Sequence, residues 1–104
     1  MHMGILTLHI SLPGCRSLKE KRQRMGGLHE RFGRNPAVAV CESGEHDRLE
    51  ASEWTFVAVA NEGPKVEALL NEIEDNFDDL RAEYRAALPE LTSRESWRKV
   101  FDAQ

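Results

Sequence analysis

Two stretches of alternating residues, Gly4 to Leu12 and Trp54 to Ala60, constrain this chain more than anything else in it. In the first, Leu6, Leu8, Ile10 and Leu12 alternate with Ile5, Thr7, His9 and Ser11, the period of a half-buried strand. In the second, W-T-F-V-A-V-A sets Trp54, Phe56 and Ala58 on one face. Each stretch ends in a breaker, Pro13-Gly14 or Asn61-Glu62-Gly63. Each then gives way to apolar residues at helical spacing. A strand, break and helix, used twice, call for sheet and helix layers around one core. At 104 residues the chain is one domain of ordinary size.

The first helical segment opens at Ser17. Ser17 and Glu20 form a capping box, in which the hydroxyl accepts from the third helical N–H and the glutamate reaches back to the serine's own N–H. Leu18, Met25, Leu28 and Phe32 make the apolar stripe. Gly26-Gly27 costs it roughly 1 kcal/mol per glycine relative to alanine. Gly33 and Asn35-Pro36 end it, and Ala37 to Cys41 reads as a short strand. Ser43 to Glu50 is a polar turn. Pro64 starts the second helix, with Val66, Leu69, Leu70, Ile73 and Phe77 as its apolar stripe.

Leu80 to Leu88 supports two readings. Leu80, Ala82, Tyr84 and Ala86 alternate as a strand would, while Leu80, Tyr84 and Leu88 fit a helix, and alanine and the charged residues favour helix intrinsically. A strand here completes a βαββαβ order, the ferredoxin-like sandwich of a four-stranded antiparallel sheet with two helices on one face. That is the α+β class expected, with a domain over 4–88. Residues 89–104 are then an extension carrying a short C-terminal helix, capped by Thr92 and Glu95 and apolar through Trp97, Val100 and Phe101.

The net charge is −4, but it is unevenly placed. Arg16 to Arg34 holds seven basic side chains against two acidic ones, and the rest of the chain is acidic. At 100° per residue Lys21 faces the apolar centre of the helix, and Arg22 and Arg24 flank it. Lys21 is therefore expected in an internal ion pair with Asp47 or Glu42. Arg16, Lys19, Arg22, Arg24 and Arg31 are the candidates for an external anion such as RNA phosphate. The second sheet face, with Ile5, Thr7, His9, Thr55, Val57 and Val59, offers no aromatic platform for bases. It suits a homodimer or another protein partner, or cover by the C-terminal helix through Trp97 and Phe101.

Other chemistry is thin. Cys15 and Cys41 have no Cys-x-x-Cys partner and are expected as free thiols. Glu42, Glu45, His46 and Asp47 match no cation loop, and His9 and His29 lack a ligand-spaced partner. No nucleophile–base pair or phosphate loop is legible. The expectation is a cytoplasmic non-enzyme with no metal, cofactor or small-molecule ligand, and no membrane span.

S-L-K-E-K-R at 17–22, with Gly4-Ile5-Leu6 before it and Leu28, Arg31, Val38, Val40 and Glu42 after it, resembles the YlxP-like family of small bacterial proteins. Asp47 and Asn61 also fall where that family's pattern places them. The resemblance runs over about residues 4–77. It implies a ferredoxin-like fold. The family's genes often neighbour those for ribosome-binding factor A and a translation initiation factor, which implies an accessory role in ribosome assembly or translation; with the basic first helix, the expected partner is structured RNA or a ribosomal subunit. Arg24 departs from the family's usual apolar residue, Leu49 from its frequent tryptophan, and the tail from about Thr92 extends past its usual end.

Overall fold

A computed structural model describes residues 1–87 and 93–102, with the side chains of 26–29, 80–87, 93–95 and 102 left aside. Four strands and two helices follow in the order β1 (His2–Ser11), α1 (Leu18–Phe32), β2 (Val38–Gly44), β3 (Ala51–Ala60), α2 (Gly63–Ala87) and β4 (Ser93–Asp102). The strands form one antiparallel sheet ordered β2-β3-β1-β4.

The period-two stretches behave as expected. Leu6, Leu8, Ile10 and Leu12 from the first, and Trp54, Phe56 and Ala58 from the second, are buried against the helices. From the helices, Met25, Phe32, Val66, Leu70, Ile73 and Phe77 complete this core. Phe32 meets Phe56 edge-on, with ring centroids 5.4 Å apart. Gly4 marks where α2 comes closest to the sheet. A Cβ there would lie 2.5 Å from Val66 Cγ1 and 2.9 Å from Leu70 Cδ1, so a side chain would displace the helix.

The C-terminal third corrects the sequence reading twice. Residues 80–87 are not a strand but the last two turns of α2. Residue 88 lies outside the described residues. Nothing in N-E-I-E-D-N-F-D-D-L-R-A-E-Y-R-A-A breaks a helix, and its alanines and long charged residues extend it. The apparent alternation was a by-product of where the alanines fall. The fourth strand instead comes from residues expected to be a helix. Ser93–Asp102 pairs with β1 along its whole length, from Ser11↔Ser93 to His2↔Asp102. Tertiary pairing overrides local propensity here, because β1 without β4 would be a bare edge. The expected boundary at 88 therefore cuts through a single sheet. Thr92 lies outside the described residues, so its capping role is not described.

Strand β4 is also tied to α2. Arg98 faces the helix layer, where it meets Glu67 at 3.3 Å, Asn71 Oδ1 at 2.8 Å and the Glu74 carboxylate. Val100 packs beside it against the core. Trp97, Lys99 and Phe101 take the opposite face, opposite Thr7, Ile5 and Met3 respectively.

Candidate functional site

The run Ser17 to Arg24 resolves into an internal anchor and a small outward group. Ser17 caps α1 as expected, its Oγ accepting from the Glu20 N–H at 3.1 Å. The return bond is displaced by one residue: Glu20 Oε2 accepts from the N–H of Arg16, at 3.0 Å, rather than from Ser17. That bond, with the Arg24 guanidinium beside it, holds the Glu20 carboxyl below the usual carboxylate range.

Lys21 is 4% exposed. Its ammonium donates to the carbonyls of Glu45 at 2.6 Å and Arg48 at 2.7 Å, and lies 3.6 Å from Glu42 Oε1. The expected carboxylate is thus Glu42. Asp47 is exposed and makes no ion pair or hydrogen bond among the described residues. The carbonyls are the nearer partners, because the β2–β3 connection curls toward the helix. A bulge between Glu42 and Gly44 starts that curl, and Glu45 at φ 61° continues it. Lys21 straps this connection to α1. Carbonyl acceptors carry no sequence signature, so this role was only half visible.

Arg24 does not belong to the outward group. It is 5% exposed, its guanidinium donating to Glu20 Oε1 at 2.5 Å and to the Pro13 carbonyl at 3.3 Å. The i,i+4 spacing of Glu20 and Arg24 was the signal for this pair. Arg31 is exposed but stands about half a turn from Arg22 at 100° per residue. It lies on the side of α1 that faces Leu69 and Ile73 of α2. Arg16, Lys19 and Arg22 remain together at the start of the helix, all exposed. Lys19 and Arg22 have no ion-pair partner among the described residues.

The sheet's second face is richer than the sequence reading allowed. Trp97 and Phe101 do not cover it from a helix. They lie in it, as side chains of β4, with Trp97 53% exposed. Lys99 Nζ sits 4.9 Å from the Phe101 ring centroid. At the centre, the hydroxyls of Thr7 and Thr55 are 3.0 Å apart, and Thr55 donates to Ser43 at 2.7 Å. Cys41 is exposed, while Cys15 is buried with its thiol 3.6 Å from the Ser17 carbonyl.

Proteins of unknown function grouped as DUF503 match this chain over residues 3–87. The chain belongs to the DUF503 family. The DUF503 match holds the strap of Lys21, Glu42 and the β2–β3 connection, and stops before β4. No curated protein matches the chain. Among solved structures, the de novo designed protein Foldit4 superposes with a TM-score of 0.57 at 11% identity, covering 100% of both chains. SnoaB, a cofactor-independent oxygenase from Streptomyces nogalater, gives 0.56 at 14% identity, over 98% of this chain and 93% of its own. A second designed protein with a ferredoxin fold, LFR1 1, gives 0.56 at 14% identity, over 99% and 88%. At these identities the likeness is one of fold, ferredoxin-like. Among the described residues, no helix is long and apolar enough to cross a membrane.

Proposed function

We propose that this protein is an interaction module that pairs with a second copy of itself through the open face of its sheet. The observation that carries this reading is the apolar character of that face once β4 is in place. Trp97 and Val59, exposed by 53% and 37%, stand with half-buried Ile5, Val57 and Phe101. An apolar sheet face of this extent is rarely left in water. The hydroxyls at its centre are satisfied in a chain from Thr7 through Thr55 and Ser43 to the Glu53 carboxylate, so covering the threonines orphans neither, and the charged groups of this face, Lys99, His9 and Glu53, belong at the rim of such an interface. Three strands of ten residues and one of seven, about 4.8 Å apart, give roughly 600 Å² per copy. Two copies would bury about 1,200 Å², the lower end of stable interfaces.

Light scattering on the eluting protein tests this. A dimer is expected at micromolar concentration. Val57→Asp, which sets a carboxylate at the centre of the face, is expected to give a folded monomer. A wild-type monomer persisting to near-millimolar concentration would refute the reading.

A second reading is favoured by Arg16, Lys19 and Arg22, which lie on the helix layer and stay exposed when the sheet face is covered. We place the chain among YlxP-like proteins on the run S-L-K-E-K-R, and read these three cations as contacts for structured RNA or a ribosomal subunit. Three phosphate contacts make a weak, salt-sensitive binder. In a gel shift over a salt series, Lys19→Glu with Arg22→Glu is expected to abolish binding at low salt and leave the melting temperature in place. Equal RNA affinity in the double variant would sink this reading.

A further inference from the structure

Helix α1 does not close fully on the sheet beside it. Between α1 and strands β2 and β3 lies a cavity of about 310 Å³, a size at the lower end of small-molecule sites. Met25 and Trp54, both buried, form its floor, and the exposed Leu18 stands at its mouth. The indole N–H of Trp54 is spent on Ser52 Oγ at 2.9 Å, so the ring presents carbon to the cavity. The polar groups around it are mostly committed. Lys21 is held by two carbonyls and by Glu42, and that pairing cancels the Glu42 charge. His46 Nε2 lies 3.2 Å from the Glu42 carbonyl oxygen. Arg22 is different. It lines the cavity, is exposed, and has no ion pair or hydrogen bond among the described residues.

The geometry points to a binding site for a small aromatic carboxylic acid, its ring on Trp54 and Met25 and its carboxylate on the Arg22 guanidinium. Trp54 supplies an aromatic wall, and Met25 a thioether suited to a ring edge. A guanidinium takes a carboxylate through two parallel N–H bonds. A neutral ring would gain the floor and forgo the rim. A dianion would bring a second charge, and Lys21 is already committed to two carbonyls and Glu42. The site lies on the helix layer, so it does not depend on pairing through the sheet.

The test is a titration of the full-length protein, followed by amide and indole N–H resonances, with 2-naphthoate and separately with its neutral amide, 2-naphthamide. 2-Naphthoate is expected to saturate shifts at the Trp54 indole, Leu18, Arg22 and Met25. 2-Naphthamide is expected to bind about tenfold more weakly, the loss of one charge-assisted contact. Arg22→Gln, a change at an exposed residue, is expected to lower the naphthoate affinity about tenfold and leave the amide's affinity as it was. Unchanged dispersion of the variant's spectrum certifies its fold. The proposal is overturned by the absence of saturable shifts, by shifts centred on Trp97, by equal affinities for acid and amide, or by an Arg22→Gln variant that binds naphthoate as the wild type does.

Discussion

Removing residues 88–104 is expected to leave no soluble, folded protein. Strand β1 is a central strand, paired with β3 on one side and β4 on the other. Without β4 it becomes an edge ten residues long, with its N–H and C=O groups unpaired. The inner face of the new edge is Leu6, Leu8 and Ile10, which are buried in the intact chain. Arg98 is lost as well, and with it the contacts it makes to the Glu74 and Glu67 carboxylates of α2. A long, apolar, unpaired strand is a template for aggregation. Expression of residues 1–87 beside the full chain, with the soluble fractions compared, checks this. A soluble fragment with the full chain's melting temperature would show that the sheet is complete without β4.

Lys21→Met is expected to cost about 3 kcal/mol, because two carbonyls and one carboxylate lose a buried cation at once. For a domain of this size that lowers the melting temperature by roughly 10–20 °C. Methionine keeps the length and most of the volume of the lysine stem, so the loss reports on the ammonium. Glu42→Gln separates its partners. The carboxylate stands 3.6 Å away and is partly exposed, whereas the carbonyls are at 2.6 and 2.7 Å. The glutamine variant is therefore expected to lose about 1 kcal/mol or less. Asp47→Asn is expected to change nothing. Thermal melts of the three variants decide the matter. A Glu42→Gln loss equal to that of Lys21→Met would make the ion pair the anchor and the carbonyls incidental.

Much of the fold was legible because several signals agreed. Over Gly4–Leu12 and Trp54–Ala60, period, β-branching and bounding breakers all indicate strands, and both form. Ser17 and Pro64 mark the two helix starts for reasons of capping and of proline geometry. The last strand was missed because two segments competed for one role. Leu80–Ala87 alternates but is made of helix formers, while Ser93–Asp102 follows directly on Thr92, which stands at helix-cap spacing from Glu95. What decides between them is the vacancy beside β1, which is a property of the assembled sheet.

The candidate sites show the same division. Lys21 was visible as an inward cation from its angle on the helix. Arg24 was placed outward because a charge at the margin of an apolar stripe can go either way, and Glu20 one turn earlier turned it inward. The cavity beside Trp54 had no signal at all, since it arises from how far α1 stands off the sheet. Trp97 and Phe101 were noticed as an apolar pair, but their true neighbours, Thr7 and Met3, are nearly the whole chain away.

That separation bears on when the molecule can form. The register that joins His2 to Asp102 pairs the two described strands that lie farthest apart in sequence. During synthesis β3 is available to β1 before residues 93–102 have left the ribosome. Pairing β1 with β4 closes the longest loop among the described residues, the kind of contact that slows folding most. Until that pairing forms, the chain carries an exposed apolar strand, the kind of surface a chaperone binds.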